Sequence, residues 1–117
     1  MTQKTIQRKD LLTASIGSRI ISSVEIKEVT MPPGQKGAYH KHLCPVVGHI
    51  VEGSALVLVE GEKAYIVKAG EAFYEPAETP IVHFDNASDT EPLTFIAYYL
   101  LNGEKELITM LPEGSRG

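Results

Sequence analysis

Four histidines, His40, His42, His49 and His83, are the residues of this chain best suited to chemistry near neutral pH. The first two stand one residue apart in His40-Lys41-His42. In an extended strand, side chains at i and i+2 leave the same face about 6–7 Å apart. Both imidazoles then point one way and Lys41 the other. Two neutral imidazoles on one face can chelate a divalent metal, each through one ring nitrogen. Glu75, just before Pro76, is a carboxylate able to act as a further ligand or as a general acid or base. His49 has odd parity on a strand whose even positions face inward, so it is expected on the outside. The single cysteine, Cys44, shares parity with His42 and reads as a small buried hydrophobe. One cysteine excludes an intrachain disulfide framework, zinc knuckles and iron–sulfur sites. No Ser-His-Asp order, phosphate-binding loop or H-E-x-x-H occurs, which leaves acyl transfer, nucleotide hydrolysis and zincin proteolysis without support.

The elements that must position these groups are strands. Glycine-glutamate pairs and prolines punctuate the chain about every ten residues, the rhythm of short strands and turns. Ile20–Met31 alternates and slips phase at Glu28-Val29, which predicts a bulge. Val46–Val51 reads as a strand buried on both faces. Ala55–Val59 and Ala64–Val67 flank Glu60-Gly61-Glu62-Lys63 as a hairpin. Ala72–Glu75, Ile81–Phe84 and Leu93–Leu101 complete the strong strands, with a loop at Pro76–Pro80. Only Arg8–Ala14 offers a helix, of one or two turns. With 117 residues the chain is expected to be one all-β domain of eight to eleven strands, its tail over 112–117 frayed.

Composition narrows the function. The hydrophobic fraction of 43% is enough for a core. The net charge of −4 lacks the basic footprint of a nucleic-acid binder and the polybasic patch that seeks anionic membranes. No stretch reaches membrane-span length, and the opening MTQKTIQRKDLL has no signal-like apolar core, so a cytoplasmic location is expected.

The run Gly34-x5-His40-x-His42-x3-Val46-x6-Gly53 resembles the first motif of the cupin superfamily, G-x5-HxH-x3-E-x6-G, with Val46 where the motif has its carboxylate. The second motif, G-x5-PxG-x2-H-x3-N, matches at Gly70 and Pro76. Glu78 takes the glycine position and Ile81 the histidine position. His83 follows two residues later, and Asn86 lies one residue past the motif's asparagine, where Asp85 falls. The resemblance spans about Lys27 to Leu101. It implies a single-domain antiparallel jelly-roll β-barrel over about residues 20–101, with a metal in the barrel mouth on His40, His42 and His83. Glu75 is then the best group for proton transfer. Nitrogen ligands suit iron, zinc, nickel, copper or manganese rather than magnesium or calcium. The resemblance implies a small-molecule ligand, with dioxygenase, isomerase or lyase chemistry. Two rival readings are a metal-free binding or sensing module, its pocket made apolar by Val46 and Ile81, and a structural barrel that works through its dimer face. A homodimer is expected, because single-domain cupins commonly pair and Ile20, Ile21, Val24 and Ile26 offer an apolar face near an edge strand.

Overall fold

A computed structural model describes residues 5–116. It contains β1 (Ser23–Met31), β2 (His40–Lys41), β3 (Val46–Glu52), β4 (Ser54–Val59), β5 (Tyr65–Lys68), β6 (Ala72–Glu75), β7 (Ile81–Asn86), β8 (Leu93–Leu101), β9 (Thr109–Met110) and one 3₁₀ turn, Glu113–Ser115. One sheet has the order β1-β8-β3-β6, the other β5-β4-β7-β2-β9. All pairings are antiparallel. Strands distant in sequence lie side by side, as a jelly roll requires. The two ladders do not join into a closed ring, so the barrel is a pair of facing sheets.

The core forms where the inward residues of both sheets meet. Val46 and Ile50 of β3, Val57 and Val59 of β4, and Leu93 and Phe95 of β8 alternate with residues that are less buried. Phe73, Phe84 and Phe95 stack at ring-centroid distances of 4.9, 4.7 and 5.8 Å. This geometry favours aromatic pairs edge to face. Gly48, inward between Val46 and Ile50, makes room for them: a Cβ there would overlap the Phe73 ring and the Ile96 carbonyl.

Three local expectations change. β1 pairs with β8 in unbroken register from Ser23 to Met31, so Glu28-Val29 carries no bulge. The phase slip arises because Val29 and Met31 pack on the core while Val24 and Ile26 are exposed on the opposite face. β3 lies between β8 and β6 and alternates, with Val51 exposed, so only one of its faces is deeply buried. Arg8–Ala14 is not helical, and residues 5–22 carry no regular secondary structure. A helix of one or two turns without a packed face does not offset its nucleation cost. No helix among the described residues is long and apolar enough to cross a membrane.

Candidate metal centre

β2 is two residues long, yet it is held on both sides: His40 pairs with Ile81 of β7 and with Met110 of β9. His40 and His42 are buried, whereas Lys41 turns outward to within 3.9 Å of Glu78. Each imidazole is oriented by a backbone carbonyl. His40 Nδ1 donates to Ala38 O at 2.7 Å, and His42 Nδ1 donates to Leu107 O at 2.6 Å. Carbonyls only accept, so both Nδ1 atoms hold a proton and each neutral ring presents its Nε2 lone pair.

Those lone pairs converge on Glu75, at the end of β6. His42 Nε2 lies 3.0 Å from Glu75 Oε1, and His40 Nε2 lies 4.0 Å from Oε2. One potential ligand atom from each of the three residues falls within 4.8 Å of the others. Glu75 Oε2 is buried and has no hydrogen-bond partner among the described residues. Two lone-pair donors and a buried carboxylate repel one another unless a cation lies among them, either a proton or a metal ion. The arrangement already favours a cation on His42. Burial would lower its pKa, but the Glu75 hydrogen bond and charge and the Leu107 carbonyl outweigh burial and raise it above 6.5. For His40 burial wins over the Ala38 carbonyl and Glu75, and its pKa is lowered.

Glu75, Val46 and Tyr99 are consecutive members of one cross-strand row, since Val46 pairs with Glu75 on one side and with Tyr99 on the other. The carboxylate therefore stands one strand away from Val46, the position that lacks it. The Tyr99 ring lies 5.8 Å from that of His42. Burial, with the Glu75 charge adding to it, pushes the Tyr99 phenol up to about 12, so it keeps its proton. The cavity in front of these groups measures about 320 Å³ and is walled by Phe84, Phe95, Val29 and Met31, with Ile108 and Met110 also lining it.

His83 is not brought to this group. A register shift between Leu58 and Val59 leaves Val82 as an extra residue, so His83 faces Leu58 and Ile81 faces Val59. Val59 and Ile81 belong to the core, and His83 takes the opposite face, its Nδ1 3.1 Å from Asp85 Oδ2. The structure groups His40 and His42 with Glu75 and leaves His83 apart, because one extra residue turns a strand's faces over. His49 is on the outer face, its Nε2 3.0 Å from the Tyr98 hydroxyl. Cys44 is a core residue, and burial pushes its thiol up, away from the thiolate form. The Asn86 side-chain nitrogen reaches the carbonyls of Met31, Pro32 and Glu91, and so ties loops together outside the metal group.

Sequence reasoning missed the role of the C-terminal segment. Besides the Leu107 carbonyl, Glu113 accepts from the Tyr39 backbone N–H at 3.0 Å and pairs with Arg116 at 2.7 Å. The Arg116 guanidinium lies 5.6 Å from the Tyr39 ring centroid. Residues expected to fray thus clasp the chain just before His40.

A family profile described as the cupin domain matches residues 27–108. The chain belongs to the cupin domain family. No curated protein sequence matches it. Among solved structures, this cupin is similar to the DMSP lyase DddQ from Ruegeria pomeroyi, at 19% identity and a TM-score of 0.66, covering 75% of this chain and 43% of the lyase. It is also similar to a variant of oxalate decarboxylase from Bacillus subtilis, at 21% identity and a TM-score of 0.64, covering 75% and 24%. An RmlC-like cupin from Methanocaldococcus jannaschii matches at 21% identity and a TM-score of 0.60, covering 66% and 69%. The aligned part is less than half the length of either enzyme. At these identities the likeness concerns the fold.

Proposed function

We propose that this cupin admits a small molecule to its cavity beside a divalent transition metal held by Nε2 of His40, Nε2 of His42 and the carboxylate of Glu75. The observation that supports it is the buried Glu75 carboxylate, one oxygen unpartnered, facing two imidazoles whose Nδ1 atoms are tied to carbonyls. Two nitrogens and one carboxylate suit iron, zinc, nickel, copper or manganese, and three protein ligands leave positions open. When bound, such an ion polarises a substrate carboxylate or carbonyl as a Lewis acid, or, if redox-active, supports oxygen chemistry. The reading is an enzyme of the lyase, isomerase or dioxygenase kind, and the two enzyme neighbours lend support to the lyase option. Glu75 serves as ligand, with both oxygens turned to the histidines. Tyr99 takes the proton-donor role first expected of Glu75, since its phenol stays protonated beside the cavity.

The metal-free binding module is the second reading. His42 protonated on Nε2 closes an ion pair with Glu75 at 3.0 Å without any metal. Elemental analysis of protein purified without a His tag separates the two. The first reading expects close to one transition-metal ion per chain after loading, lost in His42→Ala and Glu75→Gln and kept in His83→Ala and His49→Ala. No bound ion in the loaded parent, or equal content in the parent and His42→Ala, overturns it. A homodimer is part of the proposal, with exposed Val24 and Ile26 on edge strand β1 as its seed. Light scattering that gives the monomer mass at tens of micromolar would refute the dimer.

A further inference from the structure

We infer that the substrate is a small monoanion with an apolar body, its carboxylate or enolate head on the metal and its hydrocarbon part along the wall that runs from Phe84 and Phe95 to Ile108 and Met110 at the mouth. The inference rests on the proposed metal centre and adds the substrate class. Charge selects the head. A 2+ ion with one carboxylate and two neutral imidazoles leaves a net charge of +1. Among the described residues, Glu75 and Lys36 are the only lining residues with formally charged side chains, and Lys36 is exposed. A single negative charge neutralises the buried centre. A second one inside the cavity would lie against hydrocarbon and be desolvated, since Lys36, the one cation among the lining residues described, stands at its exposed edge.

Shape and lining select the body. Phe84 and Phe95 pack together at 4.7 Å between centroids, and both line the cavity with Val29 and Met31 of β1. Ile108 and Met110 also line it while 41% and 62% exposed, so they stand where the cavity meets solvent. Met31 and Met110 are unbranched and adapt to chains of different shape. The cavity, about 320 Å³, lies at the lower end of the usual range for ligand pockets and greatly exceeds a two-carbon acid. A molecule with no apolar atoms would leave most of this wall unused.

The test is calorimetric titration of nickel-loaded protein with four probes: acetate, succinate, hexanoate and benzoate. Each buried methylene is worth about fourfold in affinity, so hexanoate and benzoate are expected to bind at least about tenfold tighter than acetate or succinate. The double variant Ile108→Ala, Met110→Ala changes exposed residues and is expected to fold. It should cut the hexanoate advantage several-fold while leaving acetate and nickel stoichiometry unchanged. Acetate or succinate binding as tightly as hexanoate, in protein that holds its ion, overturns the substrate class and leaves the metal centre standing. An unchanged hexanoate advantage in the double variant also overturns it. Failure of the parent to hold nickel overturns the metal centre and this inference with it.

Discussion

Exchanging Val46 and Glu75 tests whether the carboxylate of this site belongs to a place in space rather than to a place in the motif. The two residues are cross-strand partners between β3 and β6, so their Cβ atoms are about 5 Å apart. The exchange keeps the summed volume of the pair. In the parent, metal at about a hundred times its dissociation constant stabilises the fold by about 2.7 kcal/mol. For a domain of this size that raises the melting temperature by about 10 °C. Glu75→Val removes the only anionic group of the three that converge. If affinity drops about a hundredfold, the same metal concentration returns only about 0.4 kcal/mol, or about 2 °C. Adding Val46→Glu puts a carboxylate back within reach of the same two imidazoles and is expected to restore at least half of the parent's shift. The assay is thermal unfolding of parent, single and double variants with and without nickel or zinc. A Glu75→Val variant that keeps the parent's metal-dependent shift refutes ligation by Glu75. A double variant no better than the single refutes the idea that position 46 faces the ion.

Four further outcomes are expected. His42 has a raised pKa and His40 a lowered one, so on acidification a proton competes with the ion first at His42; calorimetry in buffers of different ionisation enthalpy should show proton release per ion that grows as pH falls toward 6.5, and affinity should begin to fall at a higher pH than for an unperturbed imidazole of pKa 6.5. In metal-free protein the same raised pKa gives stability that is fully present below pH 6.5 and lost as pH rises through the folded pKa of His42, so Glu75→Gln should flatten that part of the stability–pH curve measured in urea. Gly48→Ala should cost about 3 kcal/mol or more in urea unfolding, because its Cβ meets a backbone carbonyl as well as the Phe73 ring. Glu78→Gly should instead stabilise the fold by up to about 1 kcal/mol in the same assay, since Glu78 holds φ at 59°, a left-handed conformation that costs a side-chain-bearing residue about 1–2 kcal/mol.

Period-two alternation makes the inward pair His40 and His42 and the outward His49 legible in the sequence, because a strand leaves side chains no third direction. The turn glycines were legible for a similar reason: Gly34, Gly53 and Gly70 all have positive φ. At the second motif's glycine position Glu78 holds the positive φ of 59° that a glycine adopts most easily. His83 was not legible, because parity counting cannot see an extra residue such as Val82 and its error inverts the face. Glu75 was visible as a carboxylate near the rim. Its partnership with Val46 was not visible, since register between β3 and β6 is a long-range property. The segment 102–116 has no periodicity to read, and its contribution is made mainly through backbone groups, which any sequence possesses.

The bond from His42 to Leu107 joins residues 65 positions apart. During synthesis His40, His42 and Glu75 all leave the ribosome well before Leu107 does. A partly made chain thus contains every proposed ligand side chain but not the carbonyl that fixes the His42 ring. Until that carbonyl arrives, either ring nitrogen of His42 can turn toward a passing ion, and capture through Nδ1 would oppose closure of the site. On the proposed metal reading, loading through Nε2 of His42 therefore belongs after β9 has docked beside β2, since an ion that arrives earlier meets a ring whose nitrogens are not yet told apart.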